Sequence, residues 1–199
     1  MKIRIIHFFR KDSQQQLQFI RIWNKASFHR NQQNHLFSYI PLSLQKIRKI
    51  FIEKDWSGCL LFVEGTAIAG AILSREEHAK TAHISYLCVL PEYQNRGFAR
   101  KLLEAIETDA GQKHLCNLTL HVYPKNKRAM KLYRRCGFSP VAIHGGSPGT
   151  LPVISMIKQL EKGKRNRFFI PYFYSWLKFH FLYRKDCSPR IWSRWLYEK

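Results

Sequence analysis

An apolar run ending at Leu90 gives way to Pro91-Glu92-Tyr93-Gln94-Asn95-Arg96-Gly97-Phe98-Ala99-Arg100, and a segment of helical period follows. Gly97 and Ala99 keep side chains out of the way where a strand turns into a helix. The first amides of a helix have no carbonyl partner within it, and the helix dipole gathers partial positive charge there, so a pyrophosphate can be held by backbone alone. Arg96 and Arg100 add charge to the same turn. A tight strand-to-helix turn with no ligand would use the same small residues. Two histidines, His83 and His121, stand on alternating segments nearby. An imidazole titrates near neutrality and can take a proton, although a lone strand histidine on a mixed face also reads as polar surface.

The elements that must position these residues follow from periodicity. Residues 1–6 read as a strand, residues 13–25 as a helix with Leu17, Ile20 and Trp23 on one side, and Leu44, Ile47, Ile50 and Phe51 mark a second helix. The apolar runs 59–63 and 66–73 flank Glu64-Gly65 and predict an antiparallel hairpin. In the strand 82–90, alternation points Ala82, Ile84, Tyr86, Cys88 and Leu90 one way and His83, Ser85, Leu87 and Val89 the other. Ala99, Leu102, Leu103 and Ile106 recur at i, i+3, i+4, i+7, which predicts an amphipathic helix over 97–108. Residues 117–122 alternate as a strand, with Leu118, Leu120 and Val122 opposite Asn117, Thr119 and His121. Ala129, Leu132, Tyr133 and Cys136 give a further helix that stops at Gly137, where a left-handed cap belongs. Residues 138–143 and 151–158 are closing strands. The fold class is α+β, with a strand-helix-strand-helix unit in its second half.

The length of 199 residues and 45% hydrophobic content suit one domain with a substantial core plus an appendage. Lys2, Arg4 and His7 interrupt the apolar residues of 1–10 before a signal-peptide core or membrane span could form, so a cytoplasmic placement without a transmembrane segment is expected. Five cysteines, Cys59, Cys88, Cys116, Cys136 and Cys187, form an odd set without a Cys-x-x-Cys pair, which argues against a disulfide framework or a zinc site. With 34 Lys plus Arg against 13 Asp plus Glu, the formal charge is +21. Such a surface favours phosphate-rich partners: nucleotide cofactors, RNA or anionic lipid.

Gln94, Gly97 and Ala99 fit Gln/Arg-x-x-Gly-x-Gly/Ala, and Asn126, Ala129, Leu132, Tyr133, Gly137 and Phe138 fit Asn-x-x-Ala-x-x-Leu-Tyr-x-x-x-Gly-Phe, some thirty residues on. In this order and at this separation the two motifs resemble those of the GCN5-related N-acetyltransferase (GNAT) family. The resemblance covers residues 1–160 loosely and implies a central, mostly antiparallel sheet flanked by helices. It implies acetyl-CoA as cosubstrate, without a metal, and an amine as acceptor. Cofactor contacts would come from Leu87, Cys88 and Val89, whose backbone would pair with the pantetheine arm, and from Gln94, Asn95, Arg96, Gly97, Phe98, Ala99, Arg100 and Asn126.

The resemblance also implies catalytic roles. A main-chain amide at Val89 or its neighbour would serve the oxyanion, and Tyr133 matches the family's general acid. A tyrosine near pKa ~10 giving its proton to a thiolate near ~8.5 runs uphill by roughly 2 kcal/mol, which favours a hydrogen bond to the departing sulfur over full transfer. His83 falls where histone-acetylating relatives carry a glutamate, and His121 where ribosomal-protein N-terminal relatives carry theirs. Neither position keeps the carboxylate, so the base is left between two imidazoles and water.

Beyond a polar basic linker at 159–167, the composition changes. Residues 161–199 hold 10 Lys plus Arg, 3 acids and 12 of the chain's 28 aromatics, and form a basic aromatic extension. Three readings stand: packing on the first domain, lying in an anionic membrane interface, or stacking on single-stranded nucleic acid. The competing function is a non-catalytic basic module for RNA, ribosome or membrane. The charge favours a neutral or anionic acceptor, whose identity would be set by the loops 26–43, 74–81 and 144–150.

Overall fold

The structure is a computed structural model and describes residues 1–34, 41–53, 56–76, 80–144 and 152–160. The linker from 161, the extension 161–199, Cys187 and parts of the segments 26–43, 74–81 and 144–150 lie outside the described residues; residues 26–34, expected in a loop, are instead helical. Seven strands form one sheet: β1 (Ile3–Phe8), β2 (Trp56–Val63), β3 (Thr66–Glu76), β4 (Thr81–Val89), β5 (Asn117–Val122), β6 (Ser139–His144) and β7 (Val153–Gln159). Their order is β1-β2-β3-β4-β5-β7-β6. Every pairing is antiparallel except β4 with β5. The helices are α1 (Ser13–Asn34), α2 (Leu44–Glu53), α3 (Phe98–Gln112) and α4 (Lys127–Arg135). This is the expected mixed α+β architecture.

The β2–β3 turn has Glu64 at φ 46° and Gly65 at φ 79°, two consecutive left-handed residues of the kind that match the twist of a two-residue hairpin. The periodicity of α1 misleads in one respect. Leu17 is 51% exposed, while Phe19, Ile22 and Ala26 are buried together with Ile20, so the core face is turned by about one residue from the Leu17-Ile20-Trp23 stripe. The reason is the polar Gln16, which is fully buried and donates from Nε2 to the carbonyls of Phe9 and Arg10, tying the start of α1 to the end of β1.

The two faces of the sheet are covered by different helices. A Cβ on Gly70 would meet Phe19 at 2.8 Å, so α1 lies close over this position. Phe8 stacks on Phe51 of α2 at 6.0 Å and lies over Gly58, which has no side chain to obstruct it. Helix α3 packs across β2, β3 and β4 from the other face. Leu102, Leu103 and Ile106 are there within 1% of full burial, as their spacing predicts.

In β4 the alternation breaks. Ile72 opposes Tyr86 and Leu73 opposes Ile84, which leaves Ser85 as an extra residue in a β-bulge. Directly opposed residues share a face. His83, opposite Ser74, therefore shares the α1 face with Tyr86 and Cys88, opposite Ile72 and Gly70, while Ala82, Ile84, Leu87 and Val89 share the α3 face. Tyr86 meets the Trp23 ring of α1 edge-on at 5.0 Å, in agreement with that assignment. The strict two-residue period read from the sequence thus fails at Ser85, and Tyr86 and Cys88 join His83 instead of opposing it.

Gly58→Ala is expected to drive a methyl into the Phe8 ring and lower stability by about 1–3 kcal/mol. The check is chemical denaturation of the full chain, with the midpoint reduced and the slope unchanged. An unaltered midpoint would mean that the Phe8 ring yields freely.

Candidate active site

The bulge precedes an opening in the sheet. β4 and β5 pair in parallel over four residue pairs, from Thr81 with Asn117 to Ile84 with Leu120, and then part. Residues 85–89 of β4 run on, paired with β3 on one side alone. Leu90 N–H donates to Ile68 O on β3 at 2.9 Å. Main-chain groups of alternate residues point to alternate sides of a strand, so Cys88 also directs its amide and carbonyl at β3, while Leu87 and Val89 direct theirs into the gap left by β5. The Cys88 thiol faces Gly70 O at 3.6 Å. Of Leu87, Cys88 and Val89, the backbones of Leu87 and Val89 are the ones turned to this gap, and that of Cys88 is turned to β3.

At the far end of this edge stands the phosphate turn. A 3-10 turn, Pro91–Tyr93, leads to Asn95 at φ 63° and Gly97 at φ 81°, and Gly97 caps α3 in the left-handed conformation without any side-chain cap. The first bond into the helix is Lys101 N–H to Gly97 O at 3.1 Å, so the amides of Phe98, Ala99 and Arg100 face outward with no carbonyl partner in the helix. A Cβ on Gly97 would meet nothing within 4 Å, so the space in front of these amides is open. Gln94 joins three elements: its Nε2 donates to Val89 O at 3.0 Å, and its Oε1 accepts from Arg128 on α4 at 3.1 Å. Arg96 lies over the Tyr93 ring at 5.7 Å, and Arg100 pairs with Glu104 one turn on. Phe98 is buried and anchors the start of α3.

Asn126 caps α4, its Oδ1 accepting from Ala129 N–H at 3.2 Å, and Gly137 at φ 86° ends the helix. The second sequence motif therefore marks both ends of one short helix. Tyr133 is 8% exposed, with its ring edge-on to Phe138 at 6.0 Å, and it belongs to the core cluster.

The two predicted histidines meet at the fork. His83 and His121 have ring centroids 4.6 Å apart, and His83 Nδ1 lies 3.0 Å from the Thr119 hydroxyl. A third imidazole, His144 of β6, lies 6.0 Å beyond His121. Sequence reasoning missed it because β7 comes between β5 and β6 in the sheet, and no local spacing signals a contact across that strand. His121 is exposed on β5, yet partial desolvation of its ring and then the neighbouring His144 hold it below the usual histidine range, which favours its neutral form near pH 7. Among the described residues no group of His, Cys, Asp or Glu is placed to hold a metal ion, the three imidazoles included.

Cys59, Cys88, Cys116 and Cys136 are not joined in disulfides, and burial pushes the Cys59 thiol up to about 12. Burial likewise raises Cys136.

The comparisons agree with this geometry. The profile of the family described as Acetyltransferase (GNAT) matches residues 17–138. The ribosomal-protein-S18-alanine N-acetyltransferase from Escherichia coli shares the fold at a TM-score of 0.63 and 22% identity, over 83% of this chain and 98% of that one. The PaiA N-acetyltransferase from Thermoplasma acidophilum, solved in complex with coenzyme A, matches at 0.63 and 20% identity, over 80% and 99%. YncA from Salmonella typhimurium, solved with acetyl-CoA, matches at 0.62 and 16%, over 83% and 98%. A search of curated proteins finds no match. With more than half of its length matched by the family profile, and with the strand fork, phosphate turn and capped α4 in that order, the chain belongs to the GNAT acetyltransferase family.

Proposed function

We propose that this chain transfers an acetyl group from acetyl-CoA to an amine. The observation that carries the reading is the unpaired edge of β4, which runs from the phosphate turn back to the three histidines. Five residues, 85–89, at about 3.3 Å each give an edge roughly 13–16 Å long, suited to an extended pantetheine arm with its pyrophosphate at the start of α3. Acetyl-CoA, when bound, supplies an activated thioester. The amides of Phe98, Ala99 and Arg100, with Arg96, Arg100 and Asn95 around them, hold its phosphates. Leu87 and Val89 hold the arm through their main chain, and the Val89 N–H donates to the carbonyl oxygen as negative charge develops there.

His121 is the proton acceptor for the attacking amine. Its neutral form is favoured by partial desolvation and by His144, and it lies at the fork where β5 leaves β4. His83, bonded to Thr119 and against the His121 ring, orients it. Tyr133 gives a hydrogen bond or proton to the departing sulfur. The acceptor is neutral or anionic: the chain carries +21, and residues 110–160, which supply β5, α4, β6 and β7, contain no Asp or Glu to neutralise a cationic substrate. A cytoplasmic site of action accords with this use of acetyl-CoA, and among the described residues no helix is long and apolar enough to cross a membrane.

Three measurements test the assignment. Gly97→Val is expected to weaken acetyl-CoA binding at least tenfold in calorimetry, and Gly97→Ala, which carries the same strain at φ 81° with less bulk, to weaken it less. Equal and unchanged affinities would remove the phosphate turn from the site. Tyr133→Phe is expected to keep the fold and acetyl-CoA affinity while lowering turnover, followed by thiol release with a panel of amines, by about 10²–10⁴-fold. Turnover unaffected by that change would leave Tyr133 a core residue.

The third concerns pH. A base held below the ordinary histidine range gives a rate that rises with pH through a value under about 6.5 and is flat at neutrality. His121→Ala is expected to abolish that limb and lower turnover. His144→Gln removes a neighbouring positive charge and is expected to move the limb to higher pH, with His121 still working. If the limb survives in His121→Ala, the amine loses its proton elsewhere.

A further inference from the structure

α4 has a property that acetyl transfer does not use. Its nine residues include five cations and no acid. Lys127, Lys131 and Arg134 follow one another at i, i+4, i+7, and Arg128 and Arg135 form a second row beside them, so all five fall within an arc of about 120°. All five are exposed, while Met130 and Tyr133 on the opposite side are buried. Arg128 with Lys131, Lys131 with Arg134, and Lys131 with Arg135 are three or four residues apart, a spacing at which like charges destabilise a helix. Among the described residues no acid pairs with Arg128, Lys131, Arg134 or Arg135 to relieve this. The carboxylates of α3 whose field reaches this side, Glu104 and Glu107, are held by Arg100 and Lys158. No acid occurs anywhere in residues 110–160. Among the described residues, Arg128, Lys131, Arg134 and Arg135 form no ion pair.

The dimensions indicate a polymer. The rows run seven residues, about 10 Å along the axis, longer than one phosphate group and comparable to three phosphate-to-phosphate steps of one strand along a duplex axis at about 3.4 Å each. The near end, Arg128, is bonded to Gln94 of the phosphate turn, and Lys131, Arg134 and Arg135 continue away from it for up to two turns. A membrane interface would require apolar side chains among the cations, and this arc has none. We propose that the exposed face of α4 binds the phosphate backbone of a nucleic acid, chiefly through Lys131, Arg134 and Arg135, independently of base sequence.

The test uses the full chain and short labelled RNA and duplex DNA of mixed sequence, with binding followed by fluorescence anisotropy over a series of salt concentrations. The affinity is expected to fall linearly with salt on logarithmic axes. In Lys131→Glu/Arg134→Glu/Arg135→Glu the slope should be smaller by about 2–3, and the affinity at low salt lower by roughly tenfold or more. Acetyl-CoA affinity, measured by calorimetry, should be unchanged. Should charge reversal unfold the chain by circular dichroism, the triple glutamine variant carries the same expectation with a smaller loss.

Four results would overturn the proposal. One is no binding of either nucleic acid by the wild type at low salt. Another is equal binding by the variants, which would place the contact elsewhere, residues 161–199 included. A loss of acetyl-CoA affinity would assign the face to the cofactor. The last is a loss by the variants of binding to phosphatidylserine vesicles, or to polyglutamate, with binding to nucleic acid kept; the partner would then be a membrane or an acidic protein.

Discussion

The parting of β4 from β5 is the constraint on which the rest of this structure depends. A backbone that leaves its sheet partner exposes N–H and C=O groups that must be satisfied by something else. The bulge at Ser85 begins the departure, since an extra residue bends and twists its strand. Gln94 then satisfies Val89 O, so the fold supplies one partner from the residue that also opens the phosphate-turn motif. The remaining groups of Leu87 and Val89 face a gap that suits an extended chain carrying its own amides. Helix α3 starts where that edge ends, which sets its unpartnered first amides in line with the gap.

Charge is distributed along the chain in a way that suits this site. The acids of the described domain end at Asp109, on α3, and everything that builds the far side of the fork is neutral or cationic. In such surroundings a protonated imidazole is disfavoured, both by partial desolvation and by a second imidazole nearby, and His121 accordingly lies below its usual range. A base that stays neutral is what an amine needs if it is to lose a proton near pH 7.

The short α4 shows how local chemistry offsets an electrostatic cost. A helix of nine residues is marginal by itself. The Asn126 cap contributes about 1 kcal/mol, Gly137 ends the helix in a conformation that other residues resist, and Arg134 and Arg135 stand at the negative end of its dipole. Met130 and Tyr133 bury the opposite side. These terms hold the helix against the repulsion among its cations.

Much of this was determined by the sequence alone. Strand and helix order, the Glu64-Gly65 hairpin, the Gly97 turn and both ends of α4 are legible because each depends on residues within a few positions of one another: a left-handed glycine, a capping asparagine, an apolar period. Three features were decided only by tertiary structure. Leu17 is exposed because buried Gln16 ties α1 to the end of β1, a contact that periodicity does not encode. Tyr86 and Cys88 share a face with His83 because Ser85 bulges against β3, and register is a property of two strands. His144 approaches His121 across an intervening strand because the chain places β7 between β5 and β6. The residues that could hold a phosphate were set locally by backbone conformation, whereas the grouping of the imidazoles required the sheet to assemble, since side chains from separate strands meet only when long-range pairing fixes their alignment.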